Sequence, residues 1–204
     1  MPYPTTNAAQ ELPAVNQILA SVGQAPVTTL DQTNPDVAIA YDTLLQVSRE
    51  VQAEGWSFNT EENIKETPDV NGYISYPANV LQMDLTNNSS NYNKDVIKKN
   101  GRLYDKIEHT DVWTGDVYVD KLFWYDWIDL PTVMQDYIVA RAAVVVSSRI
   151  VGDEAQYEML QQREAHSRSA AMEYECNQGD YTFFGHPRGQ NNYNSYQPYH
   201  ALYR

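Results

Sequence analysis

The chain is poor in the residues that usually build metal sites and covalent cross-links. Its 204 residues include one cysteine, Cys176, and four histidines. A single cysteine excludes an internal disulfide and a zinc site built from cysteines, so we expect a structural role for Cys176. His109 and Asp111 could supply two metal ligands, but no third ligand follows at a suitable spacing. We therefore predict neither a metal nor a cofactor.

Positive charge is also scarce. The chain has 14 Lys and Arg against 27 Asp and Glu, which gives a formal net charge of −13. Tight binding of duplex DNA requires many cations that displace counterions, so we expect no sequence-specific recognition of nucleic acid. An acidic surface would keep passing DNA from adhering, as a conduit for DNA requires. Any soluble acidic protein shares that property.

Long hydrophobic runs are absent. The longest apolar stretch, residues 138–146, contains Arg141 and is too short to span a bilayer. The first residues, M-P-Y-P-T-T-N, lack the basic and apolar regions of a signal peptide. We expect a protein that is made and kept in a cytoplasm-like compartment, without contact with a membrane.

Common catalytic motifs are missing as well, among them G-x-S-x-G, H-E-x-x-H and a Gly-rich phosphate loop. Glu61 with Glu62, or Asp126 with Asp129, could form the carboxylate pair of a glycosidase. In a chain with 27 acids such pairs arise by chance. We therefore predict that the protein is not an enzyme and that its four tryptophans form the core of a β domain and its junction with helices. A peptidoglycan or polysaccharide hydrolase is the alternative.

Apolar residues recur at helical spacing in four segments. Pro13 is typical of a first helical turn and Gly23 of a helix end, while Asn34 and Pro35 form a capping pair. The fourth segment has few apolar residues beyond Tyr157, Met159, Leu160 and Met172, a pattern that favours packing against a neighbouring subunit or exposure as an amphipathic helix. The predicted helices cover about residues 12–22, 35–54, 132–151 and 153–176.

Between the second and third helices the pattern changes to that of strands. Residues 80–85 alternate, which places Leu81, Met83 and Leu85 on one face. Asn100-Gly101 between two short strands is the sequence of a type I′ hairpin turn. The prediction is an α+β protein, an antiparallel bundle of about four helices with an inserted antiparallel β domain. Its parts are helices in 1–55, β domain in 56–130, helices in 131–177 and an extended tail in 178–204.

The tail shows no periodicity but is rich in aromatic residues. A polar segment that cannot fold alone, yet carries many aromatics, is a candidate to fold on a partner. We predict that seven side chains bind a neighbouring subunit or another protein, a mobile chain end being the alternative. They are Tyr181, Phe183, Phe184, Tyr193, Tyr196, Tyr199 and Tyr203.

Three segments resemble the tail tubular protein A family, the head-to-tail adaptors of short-tailed, podovirus-type bacteriophages. They are A-V-N-Q-I-L-A-S-V-G-Q-A-P-V-T-T-L (residues 14–30), G-W-S-F-N-T-E-E (55–62) and A-A-M-E-Y-E (170–175). The similarity extends from about Ala9 to Tyr181. The tail departs from the family pattern because it is longer and richer in Asn and Tyr.

The resemblance implies a structural protein of the virion tail, assembled in the host cytoplasm. It implies a twelve-subunit ring that joins the portal to a tail nozzle of the tail tubular protein B type, anchors tail fibres and leaves a channel for DNA. The helices and the C-terminal segment would face the portal, and the β domain the nozzle. Besides the hydrolase, a monomeric interaction module without ring symmetry is the other alternative.

Overall fold

The computed structural model describes residues 8–86 and 94–179. They form four helices and two small antiparallel sheets, which confirms the α+β class. The helices are α1 (Ala8–Ser21), α2 (Pro35–Gln52), α3 (Thr132–Ile150) and α4 (Glu154–Gln178). The strands are β1 (Thr60–Glu66), β2 (Val80–Leu85), β3 (Val96–Lys99), β4 (Arg102–Asp105) and β5 (Val117–Phe123). The antiparallel bundle, the division into domains and the extended tail stay predictions.

The ends of the first two helices show which local signals were decisive. Helix α1 begins at Ala8, so the predicted start at Leu12 is wrong and Pro13 lies inside the helix. The good helix formers before Leu12 extend the helix, although Pro13 removes one internal hydrogen bond. Helix α2 begins at Pro35 as predicted, and Asn34 Oδ1 accepts a hydrogen bond from the Asp36 amide at 3.0 Å.

Helix α3 lies at the centre of the helical core. It contacts α1, α2 and α4, and its side chains Met134, Tyr137 and Ile138 are fully buried. Trp56 and Leu130, which flank the strand region in sequence, also pack into this core. The prediction that α3 is buried against the first two helices is confirmed, and burial of these side chains is the main stabilising term for the helices.

Helix α4 packs along α3 but buries little of its own surface. In the described structure its buried side chains are Ala171 and Glu175. Met159 and Met172, two of the apolar positions counted in the sequence, are 66% and 47% exposed. Asp153 occupies the N-cap position as predicted, although its side chain makes no capping hydrogen bond within the described part. The thin buried stripe is therefore confirmed and is thinner than the sequence pattern indicated.

The strands form a sheet of order β1-β5-β2 and a β3–β4 hairpin, all pairs antiparallel. In β2 a register shift between Val80 and Gln82 lets both Val80 and Met83 face the core, while Leu81 and Leu85 are half-buried. The predicted alternation of β2 is thus present with a bulge at its start. These strands enclose a second cluster of buried side chains, which includes Trp113.

The β3–β4 hairpin has the predicted turn. Asn100 and Gly101 have φ angles of +53° and +71°, both in the left-handed region that a type I′ turn requires. Beyond β4, the chain segment around Ser75 pairs with Arg102, and Leu103 donates its amide to the carbonyl of Ile74. The hairpin is therefore extended by a third, short strand-like segment.

Candidate interaction surfaces and the joint that positions them

A tight corner, residues 55–60, joins α2 to β1 and is called the Trp56 corner below. Gly55 has a φ of +80°, which a glycine adopts at low cost and which lets the chain reverse after α2. The indole of Trp56 is 4% exposed, and its Nε1–H donates to the carbonyl of Val51 at 2.7 Å. One side chain thus fills the helical core and satisfies a carbonyl at the end of α2.

Asn59 ties this corner to both neighbouring elements. Its Oδ1 accepts from the Trp56 amide, and its Nδ2 donates to the carbonyls of Gln52 and Phe123, each at 2.9 Å. Gln52 adds a second link, since its Oε1 accepts from the Tyr125 amide at 2.8 Å. Both side chains are completely buried. These bonds connect the end of α2 with the chain that leaves β5.

The C-terminal part of α4 reaches the same corner through Glu175. Its carboxylate oxygens accept from the Ser57 amide at 3.0 Å, and Oε2 accepts from the Ser57 hydroxyl at 2.9 Å. Hydrogen bonds to a charged acceptor are among the stronger ones in proteins. Glu175 therefore fixes the end of α4 against a residue 118 positions earlier in the chain.

The side chain of Asn16 holds the segment after α1 through two hydrogen bonds, called the Asn16 clamp below. The Asn16 side chain accepts from the Val27 amide at 2.8 Å and donates to the Val27 carbonyl at 3.0 Å. This pairing replaces the partners that a strand would give to Val27 and keeps the extended segment against the helix. Asn16 and Val27 both lie in the first of the three segments quoted above.

A family model described as "Tail tubular protein" matches residues 12–181 of the chain. The match covers most of the 204 residues and includes α2 to α4, every strand, the Trp56 corner and Glu175. The chain belongs to the tail tubular protein family. The family resemblance drawn from the sequence is therefore confirmed.

Among the relatives of this family member is tail tubular protein A of Klebsiella phage KP34. The two chains are 26% identical over 148 residues, which are 72% of this chain and 77% of the relative. Membership of the family makes the chain a structural component of a bacteriophage tail. The three segments that resemble the family contain the Asn16 clamp, the Trp56 corner and Glu175. Each of them therefore includes side chains that hold parts of the fold together.

The seven tail aromatics predicted to bind partners, Tyr181 to Tyr203, lie outside the described residues. Of the other sequence candidates in this tail tubular chain, Asp111 forms an ion pair with Arg102 at 3.0 Å, and His109 has a φ of +55° in the neighbouring turn. Within residues 8–86 and 94–179, no three His, Cys, Asp or Glu side chains gather where they could hold a metal ion. None of the helices in these ranges combines the length and apolar character needed to cross a bilayer.

The carboxylates considered for a glycosidase do not line the cleft that the strand region contains. Glu61 and Glu62 are exposed on β1, and Asp129 is exposed after β5. The pKa of Tyr125 is raised, first by burial and then by the negative charges of Glu61 and Asp129. These two acids therefore lie near Tyr125. A cleft of about 290 Å³ lies elsewhere, lined by Glu66, Thr67, Asp69, Tyr73, Ser75, Asn100, Gly101 and Arg102.

A charged network on the helices of this family member was not foreseen. Arg141 of α3 donates to Glu54 at 3.1 Å and to the Tyr137 hydroxyl at 3.2 Å, and Arg168 of α4 donates to the same hydroxyl. The hydrogen bond to Tyr137 is the main cause that raises the pKa of Arg168, followed by electrostatic attraction to Tyr137 and Glu54. The network links α3 and α4 to the chain just after α2. Tyr137 and Arg141 are neighbours by helical spacing, whereas Glu54 and Arg168 come from distant parts of the sequence.

Proposed function

We propose that the chain is the adaptor of a short-tailed bacteriophage and has no enzymatic activity. About twelve copies would form a ring that joins the portal to the tail nozzle, anchors the tail fibres and leaves a channel for DNA. The observation that carries the proposal is the family match over residues 12–181, which spans the helices and the strands together. The similarity to tail tubular protein A of Klebsiella phage KP34 supports the role of an adaptor over other roles that a tail protein could have.

Helix α4 supports assembly into a ring. It is 25 residues long and, in the part of the chain that the structure describes, buries two side chains. Helices normally bury a broad apolar stripe, so this helix gains little from its own subunit. A head-to-tail interface would cover part of the surface that the monomer leaves exposed, including Met159.

The ring is tested by the native mass of the protein, alone and mixed with its cognate portal, measured by light scattering or native mass spectrometry. We expect a complex with about twelve copies per portal ring. A protein that stays monomeric in both conditions would contradict the adaptor role and favour the monomeric interaction module. Release of sugars from peptidoglycan, lost in a Glu61→Gln variant, would favour the hydrolase.

We expect removal of residues 177–204 to weaken portal binding at least tenfold while the circular dichroism of the helices stays unchanged. The fold should survive because Glu175, whose hydrogen bonds to Ser57 hold the end of α4, precedes the cut. A full-length variant with the seven tail aromatics replaced by serine separates the side chains from chain length. Full portal affinity of this variant would refute the role assigned to the aromatics.

A further inference from the structure

One face of the β3–β4 hairpin carries cationic and aromatic side chains in a defined arrangement. Antiparallel pairing sets Ile97 opposite Tyr104 and Lys99 opposite Arg102, and residues directly opposite share a face. Their neighbours in sequence, Val96 and Leu103, point to the buried side. We call the outward set the cationic sheet face, and it consists of Tyr73, Ile97, Lys99, Arg102 and Tyr104.

Ring contacts hold the charges of the cationic sheet face in place. The Arg102 guanidinium lies 3.6 Å from the ring centroid of Tyr73, and the Lys99 ammonium lies 3.9 Å from that of Tyr104. Ile97 is 40% exposed beside them. Tyr and Arg are, with Trp, the residues most enriched at the energetic centres of interfaces, and side chains that are already ordered lose less entropy on binding.

Charge on this face contrasts with the rest of the chain. Residues 94–106 carry five of the 14 Lys and Arg and two acids, within a chain of net charge −13. Ion pairs neutralise several of these cations, among them Lys106 with Asp95 and Arg102 with Asp111. Lys99 is exposed and pairs with no carboxylate among residues 8–86 and 94–179. The face therefore offers an unneutralised cation next to an exposed isoleucine.

The solvent side of α2 is its counterpart in charge. Asp36, Ile39 and Asp42 follow one another at a spacing of three, which makes each a neighbour of the next on successive helical turns, within an arc of about 120°. Asp42 is exposed and Ile39 is 38% exposed. Within the described ranges neither aspartate belongs to an ion pair, in contrast to Glu54, which pairs with arginines of α3 and α4. We call these three residues the acidic helix face.

We infer that the cationic sheet face of one copy docks on the acidic helix face of the next copy. A ring requires a head-to-tail contact between two different patches of the same chain, and these two patches match in charge and each presents one exposed isoleucine. The inference rests on the ring of the proposed function. Duplex DNA is a poor occupant because the chain is acidic overall and the face offers few unpaired cations.

Charge reversal tests the contact. In Lys99→Glu and in Asp42→Lys, the ring should form only at protein concentrations at least tenfold higher than for the unmodified protein, because like charges then face each other. In the double variant every interface again pairs opposite charges, so assembly should return to within about threefold of the unmodified protein. The readout is native mass against concentration at fixed salt, with portal present if the ring needs it.

Lys98→Glu is the matched control. Lys98 is the adjacent residue of β3, is also exposed, and lies on the opposite face with its ammonium 4.5 Å from the Tyr76 ring centroid. The same change of charge at this position should leave the concentration dependence of assembly within about threefold of the unmodified protein. Circular dichroism of each variant verifies that the fold is retained.

The outcomes separate this inference from the proposed function. An unmodified protein that assembles neither alone nor on the portal refutes the ring itself. A ring that forms equally well in both single variants, or a double variant that assembles as poorly as the two single effects combined, overturns the docking arrangement and leaves the ring intact. A Lys99→Glu variant that keeps its native mass but no longer binds a different tail protein would likewise overturn it. The cationic sheet face would then be the binding site for that protein.

Discussion

Replacing Trp56 with alanine is expected to lower the free energy of unfolding by about 4 kcal/mol, the range for large aromatic side chains removed from cores. The indole is 4% exposed and packs in the helical core with residues of α2 and α3. Its loss leaves a cavity and removes the donor to the Val51 carbonyl. Equilibrium unfolding in urea, followed by circular dichroism, measures the change.

Two further variants separate the contributions of Trp56. Trp56→Phe keeps one aromatic ring but loses the N–H donor and part of the buried volume, so we expect a loss of about 2 kcal/mol, smaller than that of alanine. Trp127→Ala is the control for removal of a tryptophan near the same core. Trp127 is only half-buried, so its replacement should lower the free energy of unfolding by less than that of Trp56. A Trp56→Ala variant that loses less than about 1 kcal/mol would show that the corner relaxes around the cavity.

Local signals made several parts of the fold predictable. The Asn34 cap, the left-handed turn at Asn100-Gly101 and the helix end at Gly23 depend on residues within a few positions of each other. The physical cause of each lies in the backbone preferences of Asn and Gly or in a side chain that reaches its own neighbours. Such features need no knowledge of the rest of the chain.

Long-range features escaped the sequence patterns. Glu175 was counted as part of a polar helix, whereas its partner Ser57 lies 118 residues away. The start of α1 was misplaced because Pro13 is compatible with both the first turn and an interior position of a helix when neighbouring residues favour helix. Met159 and Met172 were assigned to the apolar stripe of α4, but only the packing of α3 determines which side of α4 is covered.

The candidate interaction surfaces were predictable only in part. An excess of cations in residues 94–106 is visible in the sequence, but the net charge of −13 for the whole chain hides it. The contact of Lys99 with Tyr104 depends on the register of β3 and β4. The contact of Arg102 with Tyr73 depends on pairing between β4 and the segment around Ser75, which the hairpin turn does not predict. The tail aromatics were chosen from composition, and their role stays a prediction.

Helices and strands have separate buried clusters, so their coupling depends on the joint between them. The side chain of Asn59 hydrogen-bonds to three residues of this joint, Trp56, Gln52 and Phe123. Its amide group links α2 to the end of β5 through the carbonyls of Gln52 and Phe123. A ring that joins two different structures at its two ends would transmit force through this connection, so its stiffness matters to the proposed function.

Replacing Asn59 with alanine is therefore expected to lower the free energy of unfolding by about 3 kcal/mol, because buried polar groups lose their partners. The Trp56 amide and the Phe123 carbonyl lose a side-chain partner, whereas the Gln52 carbonyl still accepts from the Gly55 amide at 3.4 Å. For a chain of this size such a loss lowers Tm by about 6 to 12 °C in calorimetry.

Asn79→Ala is the matched control, since Asn79 is exposed and its change should stay within about 0.5 kcal/mol. Asn59→Asp keeps the acceptor for the Trp56 amide but loses the donors to both carbonyls and buries a charge, so it should destabilise at least as much as alanine. If Asn59→Ala unfolds in one transition with Tm unchanged, the hydrogen bonds of Asn59 do not hold the joint, and packing around Trp56 must couple the helices to the strands.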